Sequence, residues 1–281
     1  MLVGARQVDI RLIVATSGNV WAEEAARNAR NLLARLRRDD IDICVGMPSS
    51  VFQERHGAFA LGKCTPTAPR YIGAFSRKFP EALEGFRGCG DLFELIAAAN
   101  RPNLLIIAPA SPITSIVRTH PELADYIGRI YLMGGAIACE GNATPIAEFN
   151  FWFDPEAAES LLASNLPITL LPLDAVRTLQ YSAEFAATLD PEHPVTMYVH
   201  HSVENITSPP VCDEVLAAVA LDHSLVSSCR ALKLAVETKP GPRYGAVSIL
   251  EDAADRRPVQ VIEKITEAIF WHLAHCALSD A

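Results

Sequence analysis

The chain has 281 residues, 50% of them apolar and 7% aromatic, with a formal net charge of −9. This is enough apolar material for a large core, and it excludes a disordered chain. Acidic residues outnumber basic ones by 33 to 24, and Lys and Arg are dispersed apart from Arg35, Arg37 and Arg38, which argues against a nucleic-acid backbone as partner. Residues 8–15 form a β-branched apolar run that predicts a strand. Thr16-Ser17-Gly18-Asn19 then reads as a loop, and apolar or small residues at Trp21, Ala25, Ala29, Leu32, Leu33 and Leu36 predict a helix. The alternation continues with a strand at 41–45, a long irregular stretch, a helix at 92–99, a strand at 104–108 and a helix near 113–117. A strand at 129–133, a helix at 156–163 and a strand at 168–171 complete it. Such alternation predicts one α/β domain over 1–281, with a mostly parallel sheet covered by helices on both faces. Ligands of these sheets lie outside the carboxyl ends of the strands, which points to the loops 16–19, 46–49, 109–112, 134–150 and 172–174.

No uncharged apolar stretch reaches the roughly 18 residues of a membrane span, and the first residues lack the basic lead and apolar segment of a signal peptide, so no membrane partner and a cytoplasmic location are expected. Seven scattered cysteines without a C-x-x-C pair favour reduced thiols. The run 57–63 has P-loop spacing, but Cys64 stands where a hydroxyl would hold magnesium. Gly88-Cys89-Gly90 lacks the third glycine of a dinucleotide fingerprint, which weighs against an oxidoreductase.

The most informative stretch runs from Leu132 to Glu156. A strand ends at Gly134-Gly135, and a loop carrying Asn142, Glu148 and Asn150 crosses the ligand edge of the sheet before a helix begins. Amides and a carboxylate suit a polyhydroxylated sugar, because Asn supplies a donor and an acceptor while Glu accepts from hydroxyls. On spacing alone, though, Asn in a loop more often caps a turn, and Asn142 and Asn150 are open to that reading. Glu148, between Ala147 and Phe149, needs a partner. Asp154, with Pro155 and Glu156 after it, reads as a helix N-cap. Asp213, ahead of a helix at 214–221, is likewise open to an N-cap reading.

Ser17-Gly-Asn-Val, Leu132-Met-Gly-Gly, Gly141-Asn-Ala-Thr-Pro, Ala147-Glu-Phe-Asn, Asp154-Pro-Glu-Ala-Ala and Pro172-Leu-Asp, in this order and spacing, resemble the inosine-uridine nucleoside hydrolase family. The resemblance runs from about residue 8 to about 273. It implies a Rossmann-like fold, hydrolysis of the N-glycosidic bond of ribonucleosides to ribose and free base, a calcium ion, and a homodimer or homotetramer. It also implies that Asn19, Asn142, Glu148 and Asn150 bind ribose hydroxyls, that Met133 lines the sugar pocket, and that Asp213, with a backbone carbonyl near Ala110, ligates the metal. Cys212 stands where many members carry a histidine that helps the leaving base. A thiol with an ordinary pKa of about 8.5 is a weak proton donor for that step. His200 and His201, just upstream, are candidate substitutes. The family's first strand carries an Asp-x-Asp-x-x-x-Asp-Asp motif that supplies calcium ligands and a base, and nothing before Asn19 matches it: Asp9, the only acid there, begins the first predicted strand. The calcium site is therefore expected to be incomplete and activity impaired. A non-catalytic nucleoside-binding or structural member is the alternative. The absent strand is central in the resembled fold, so either the sheet rearranges or something fills the gap.

Overall fold

The computed structural model describes residues 2–5, 7–46, 87–88, 92–193, 195–205 and 211–279. The glycine-lysine run at 57–63, Cys64, Cys89 and Gly90 lie outside them.

Three short parallel strands come first: β1 (Leu12–Ala15), β2 (Asp42–Val45) and β3 (Arg87–Gly88), with helix α1 (Ala22–Arg35) connecting β1 to β2. Ala26 and Leu33 of α1 close a small core with Ala15, Ile41 and Ile43. Next come α2 (Leu92–Ala98), β4 (Leu104–Ile106), α3 (Ser111–Thr119), α4 (Leu123–Tyr126) and β5 (Ile130–Met133). Two helices then abut, α5 (Phe149–Phe153) and α6 (Pro155–Leu162), ahead of β6 (Ile168–Leu171), α7 (Leu173–Val176), α8 (Ala183–Ala186), α9 (Thr196–Asn205) and α10 (Cys212–Leu221). The chain closes through β7 (Val226–Leu232), β8 (Leu234–Val236), β9 (Val247–Ile249), β10 (Val259–Ile265) and α11 (Glu267–Ser279).

A five-stranded sheet of order β4-β5-β6-β10-β7 holds the larger core, with only β7 antiparallel. Its central strands are apolar at nearly every position because both faces are covered. Alternation sends Ile130, Leu132, Ile168 and Leu170 into one core with Ile113, Phe151 and Leu161. It sends Tyr131, Met133 and Leu171 into the other, with Val215, Leu216 and Phe270. Each fully buried Leu or Ile contributes about 1.5–3 kcal/mol.

The expected α/β architecture of mostly parallel strands covered by helices is present, with the strands divided at one point. Among the described residues the parallel strands form two sheets, because β1 pairs only with β2 and β4 only with β5. No described strand joins them, and the two edges share apolar packing instead, with Leu12 and Val14 of β1 and Leu104 and Ile106 of β4 resting on the same core. They also meet at their carboxyl ends. A methyl added to Gly18 would lie 3.1 Å from Pro109 Cδ, and one on Gly46 would lie 2.8 Å from Pro112 Cγ. The loops at 16–20, 46, 109–112, 134–148 and 172–174 therefore gather at one edge of the molecule, as the strand directions predict.

Candidate active site

Met133 ends β5 with its side chain buried, and the two glycines after it make room for α5. A methyl on Gly134 would fall 2.3 Å from Phe151 Cε1 and 3.2 Å from Glu148 Oε2, so a larger residue would displace the helix that carries both. The loop beyond is tied down at two points. Asp174, at the carboxyl end of β6, accepts from the backbone N–H groups of Ile137 and Ala138 at 2.9 and 2.7 Å. Gly141 packs so closely on the returning chain that a methyl there would sit 2.1 Å from the carbonyl oxygen of Ala147.

Glu148 is the N-cap of α5. Its Oε1 accepts from Asn150 N at 2.8 Å, and its Oε2 accepts from Gly135 N at 2.9 Å and Phe151 N at 3.1 Å. It is 2% exposed. Burial raises its pKa, and the backbone N–H groups oppose that shift. Three amides thus partner a carboxylate that its apolar neighbours could not satisfy. Asn142 is exposed, and its Oδ1 accepts from Phe149 N at 2.8 Å, as a capping residue would, which leaves its amide directed elsewhere. Asn150 is not a turn cap. It lies inside α5, 8% exposed, and its Nδ2 donates to Met133 O at 3.2 Å with the Met133 sulfur at 3.5 Å. Asn19 is exposed in the loop after β1, and a methyl on the adjacent Gly18 would sit 3.8 Å from Phe149 Cε1, so this loop borders α5. Asp154 caps α6 by accepting from Ala157 N at 3.0 Å, as its sequence context predicts.

The N-terminus of α10 reaches the same place. The helix starts two residues earlier than a capping Asp213 would require: Val211 is the N-cap residue, and its side chain makes no capping hydrogen bond. The N-cap reading of Asp213 is thereby corrected. Asp213 is open to solvent on one side, yet it stands among so much protein that its pKa is pushed up to about 8, first by burial and then by the charges of Glu214 and Glu148. Cys212, half-buried, has its thiol pushed up to about 12 by burial and by three carboxylates, Asp213, Glu148 and Glu214. It is a neutral thiol and a weaker acid than a free cysteine. His200 Nε2 lies 3.3 Å from Leu189 O and His201 Nδ1 lies 3.1 Å from Asn205 Nδ2, both on or beside α9.

Met133, Glu148 and Asn150 thus form one connected group, bordered by Asn142 and Asn19 and coupled by charge to Cys212 and Asp213. The sequence profile of the inosine-uridine preferring nucleoside hydrolases matches residues 1–272. The chain belongs to that family. The pyrimidine-specific ribonucleoside hydrolase RihA of Salmonella paratyphi B is 28% identical over 211 residues, covering 71% of this chain and 63% of that protein. RihA of Escherichia coli O139:H28 is 30% identical over 190 residues, or 66% and 58% of the two chains. The match spans less than two thirds of the length of these curated relatives. Among solved structures, an inosine-guanosine nucleoside hydrolase superposes with a TM-score of 0.81 at 18% identity, and a plant nucleoside hydrolase with 0.79 at 22%. Both alignments cover 99% of this chain and 93% of the other, so the split sheet keeps the nucleoside hydrolase fold.

The calcium ion that the family resemblance implies does not fit the described residues. Calcium takes about 6 to 8 oxygen ligands. Here Glu148 is engaged by three backbone amides, and Ala110 O accepts from Thr114 N at 3.2 Å and Thr114 Oγ1 at 3.0 Å. Asp213 is left as the open carboxylate, and among the described residues no three His, Cys, Asp or Glu side chains form a metal-binding group. Sequence reasoning also passes over two residues beside the site. Glu214 comes directly after Asp213, and Tyr181 donates a hydrogen bond to Glu214 Oε1 at 3.3 Å. Their sequence separation hides the pairing. The one available signal is a second acid in the first turn of a predicted helix.

Proposed function

We propose that this single-domain chain is a ribonucleoside N-ribohydrolase, which releases ribose and a free base. The observation that carries the reading is the convergence of Met133, Glu148 and Asn150 with Cys212 and Asp213 at the carboxyl edge of the parallel strands, in a member of the nucleoside hydrolase family. The sugar side is polar without being basic, as an uncharged nucleoside requires. Asn142 offers its amide group, Asn19 lies exposed at the rim, and Met133 supplies an apolar floor. Asn150 holds its amide against Met133 O and so presents its carbonyl for a hydroxyl donor. In this reading Glu148 binds ribose hydroxyls, and the carboxylates of the site favour the positive charge of an oxocarbenium-like transition state.

Water must attack that carbon and the base must leave with a proton. Asp213 is the group able to exchange a proton near neutral pH, because its raised pKa lies close to the working range of a general acid or base. Cys212, a weak acid because of burial and its neighbouring carboxylates, is not the proton donor to the base in this reading. A homo-oligomer and a cytoplasmic location belong to the same reading, whereas the calcium expected from the family has only an incomplete set of ligands among the described residues. Exposed Leu95 on α2 and Tyr126 on α4 offer apolar surface for self-association. No described helix is long and apolar enough to cross a membrane.

The test is a panel of purine and pyrimidine nucleosides assayed for ribose release, with calcium titrated in and with chelator. Release that Asp213→Asn abolishes supports the reading. Saturable nucleoside binding without release at any calcium level would make the chain a nucleoside-binding member instead.

A further inference from the structure

Val211, the N-cap residue of helix α10, makes no side-chain capping hydrogen bond, and the first turn carries Cys212, Asp213 and Glu214. The first four N–H groups of a helix have no partner within it, so an uncapped first turn frays readily. In this helix that first turn bears the candidate active-site pair. An external tie is present. Tyr181, in the connection between α7 and α8, is 9% exposed and donates to Glu214 Oε1 at 3.3 Å. The ring of Tyr181 is itself fixed, stacked on Phe185 with centroids 5.8 Å apart and tilted against Trp271 of α11 at 6.1 Å. Phe185 and Trp271 close the triangle at 4.8 Å. A rigid aromatic group spanning two elements therefore grips the side chain immediately after Asp213.

We infer that Tyr181 is a positioning residue: through Glu214 it holds the first turn of α10 so that Cys212 and Asp213 keep their places in the site. This rests on the proposed assignment of Cys212 and Asp213 to the nucleoside site, and its test separates the two. The contacts of Tyr181 are with Glu214, Phe185 and Trp271, none of them in the proposed sugar pocket on α5. Its loss should change how the turn is held while leaving the sugar pocket on α5 intact.

The experiment is Tyr181→Phe, which keeps the ring and removes only the hydroxyl, in the full chain. Site-resolved alkylation of Cys212 without ligand should speed up by about threefold or more as the turn loosens, because thiol reactivity depends on access. Cys229 and Cys276, exposed and remote in sequence, serve as internal references. Where turnover is measurable, kcat should fall by about tenfold with KM nearly unchanged, since misplaced groups cost rate more than binding. Glu214→Gln and Glu214→Leu approach the same bond from the other side. Both remove the charge, but only Gln keeps an acceptor for the phenol, so Cys212 should react faster in the Leu variant than in the Gln variant. An unchanged alkylation rate in Tyr181→Phe, together with equal rates in the two Glu214 variants, overturns the inference whether or not the chain turns over nucleosides. If the alkylation effects appear in a chain that neither binds nor hydrolyses nucleosides, the positioning role stands and the proposed function falls.

Discussion

Glu148 is both a helix cap and a buried acid, and its two roles make opposite demands on its charge. Three N–H donors favour the carboxylate, whereas burial opposes it and prevails in raising the pKa. Glu148→Gln tests the balance. Whichever way the new amide turns, its NH2 group faces at least one backbone N–H, so at neutral pH the variant should lose about 1–3 kcal/mol. A urea unfolding midpoint measured at constant slope would show it, and a variant as stable as the parent would mean that Glu148 is protonated in the folded protein. Asp213 and Glu214 also have raised pKa values, so all three acids hold protons more tightly folded than unfolded. The stability they contribute is fully present below their unfolded values and is lost as pH rises through the folded ones, about 8 for Asp213. In chelator the melting temperature should therefore fall between about pH 5 and about pH 9, and Asp213→Asn should flatten that fall. A profile with the same slope in both proteins would remove Asp213 from the account.

Among the elements, β5 and β6 are legible in the sequence because strands buried on both faces are nearly unbroken apolar runs, and α6 because Asp154-Pro155 marks its start. Helix α5 is not legible. Phe149-Asn150-Phe151-Trp152-Phe153 has no 3.6-residue period, being a single turn wedged between the double glycine and α6, with four of its five residues buried. The carboxylate that caps it consequently looks, in sequence, like a free sugar ligand. Strand β7 is missed for the opposite reason: its pattern of half-exposed residues is that of an antiparallel edge and does not resemble the runs before it. The boundary between β1 and β4 has its own measurable signature. Among the described residues Leu104–Ile106 pairs on one side only, whereas Ile130–Met133 pairs on both. Hydrogen exchange should accordingly be faster for the β4 amides that face away from β5 than for those of β5. Equal protection across the two strands would mean that another segment pairs with β4 in solution.

At the scale of the whole molecule, the proposed site draws on both sheets and belongs to neither alone. Asn19 comes from the loop after β1, while Met133, Glu148, Asn150 and Asp213 stand on the five-stranded sheet or on helices packed against it. The position of Asn19 therefore depends on contacts as slight as Gly18 against Pro109 and Gly46 against Pro112, together with the shared apolar packing of Leu12 and Val14. The β1-α1-β2 unit has a core of its own and is built from residues close in sequence, which are the properties of a separately cooperative block. Melting should then be less than all-or-none. In calorimetry the measured enthalpy should exceed the van't Hoff value, and the amino-terminal block should open first. A nucleoside bridging Asn19 and Asn150 would fasten the two blocks together, so a saturating ligand should merge the transitions into one.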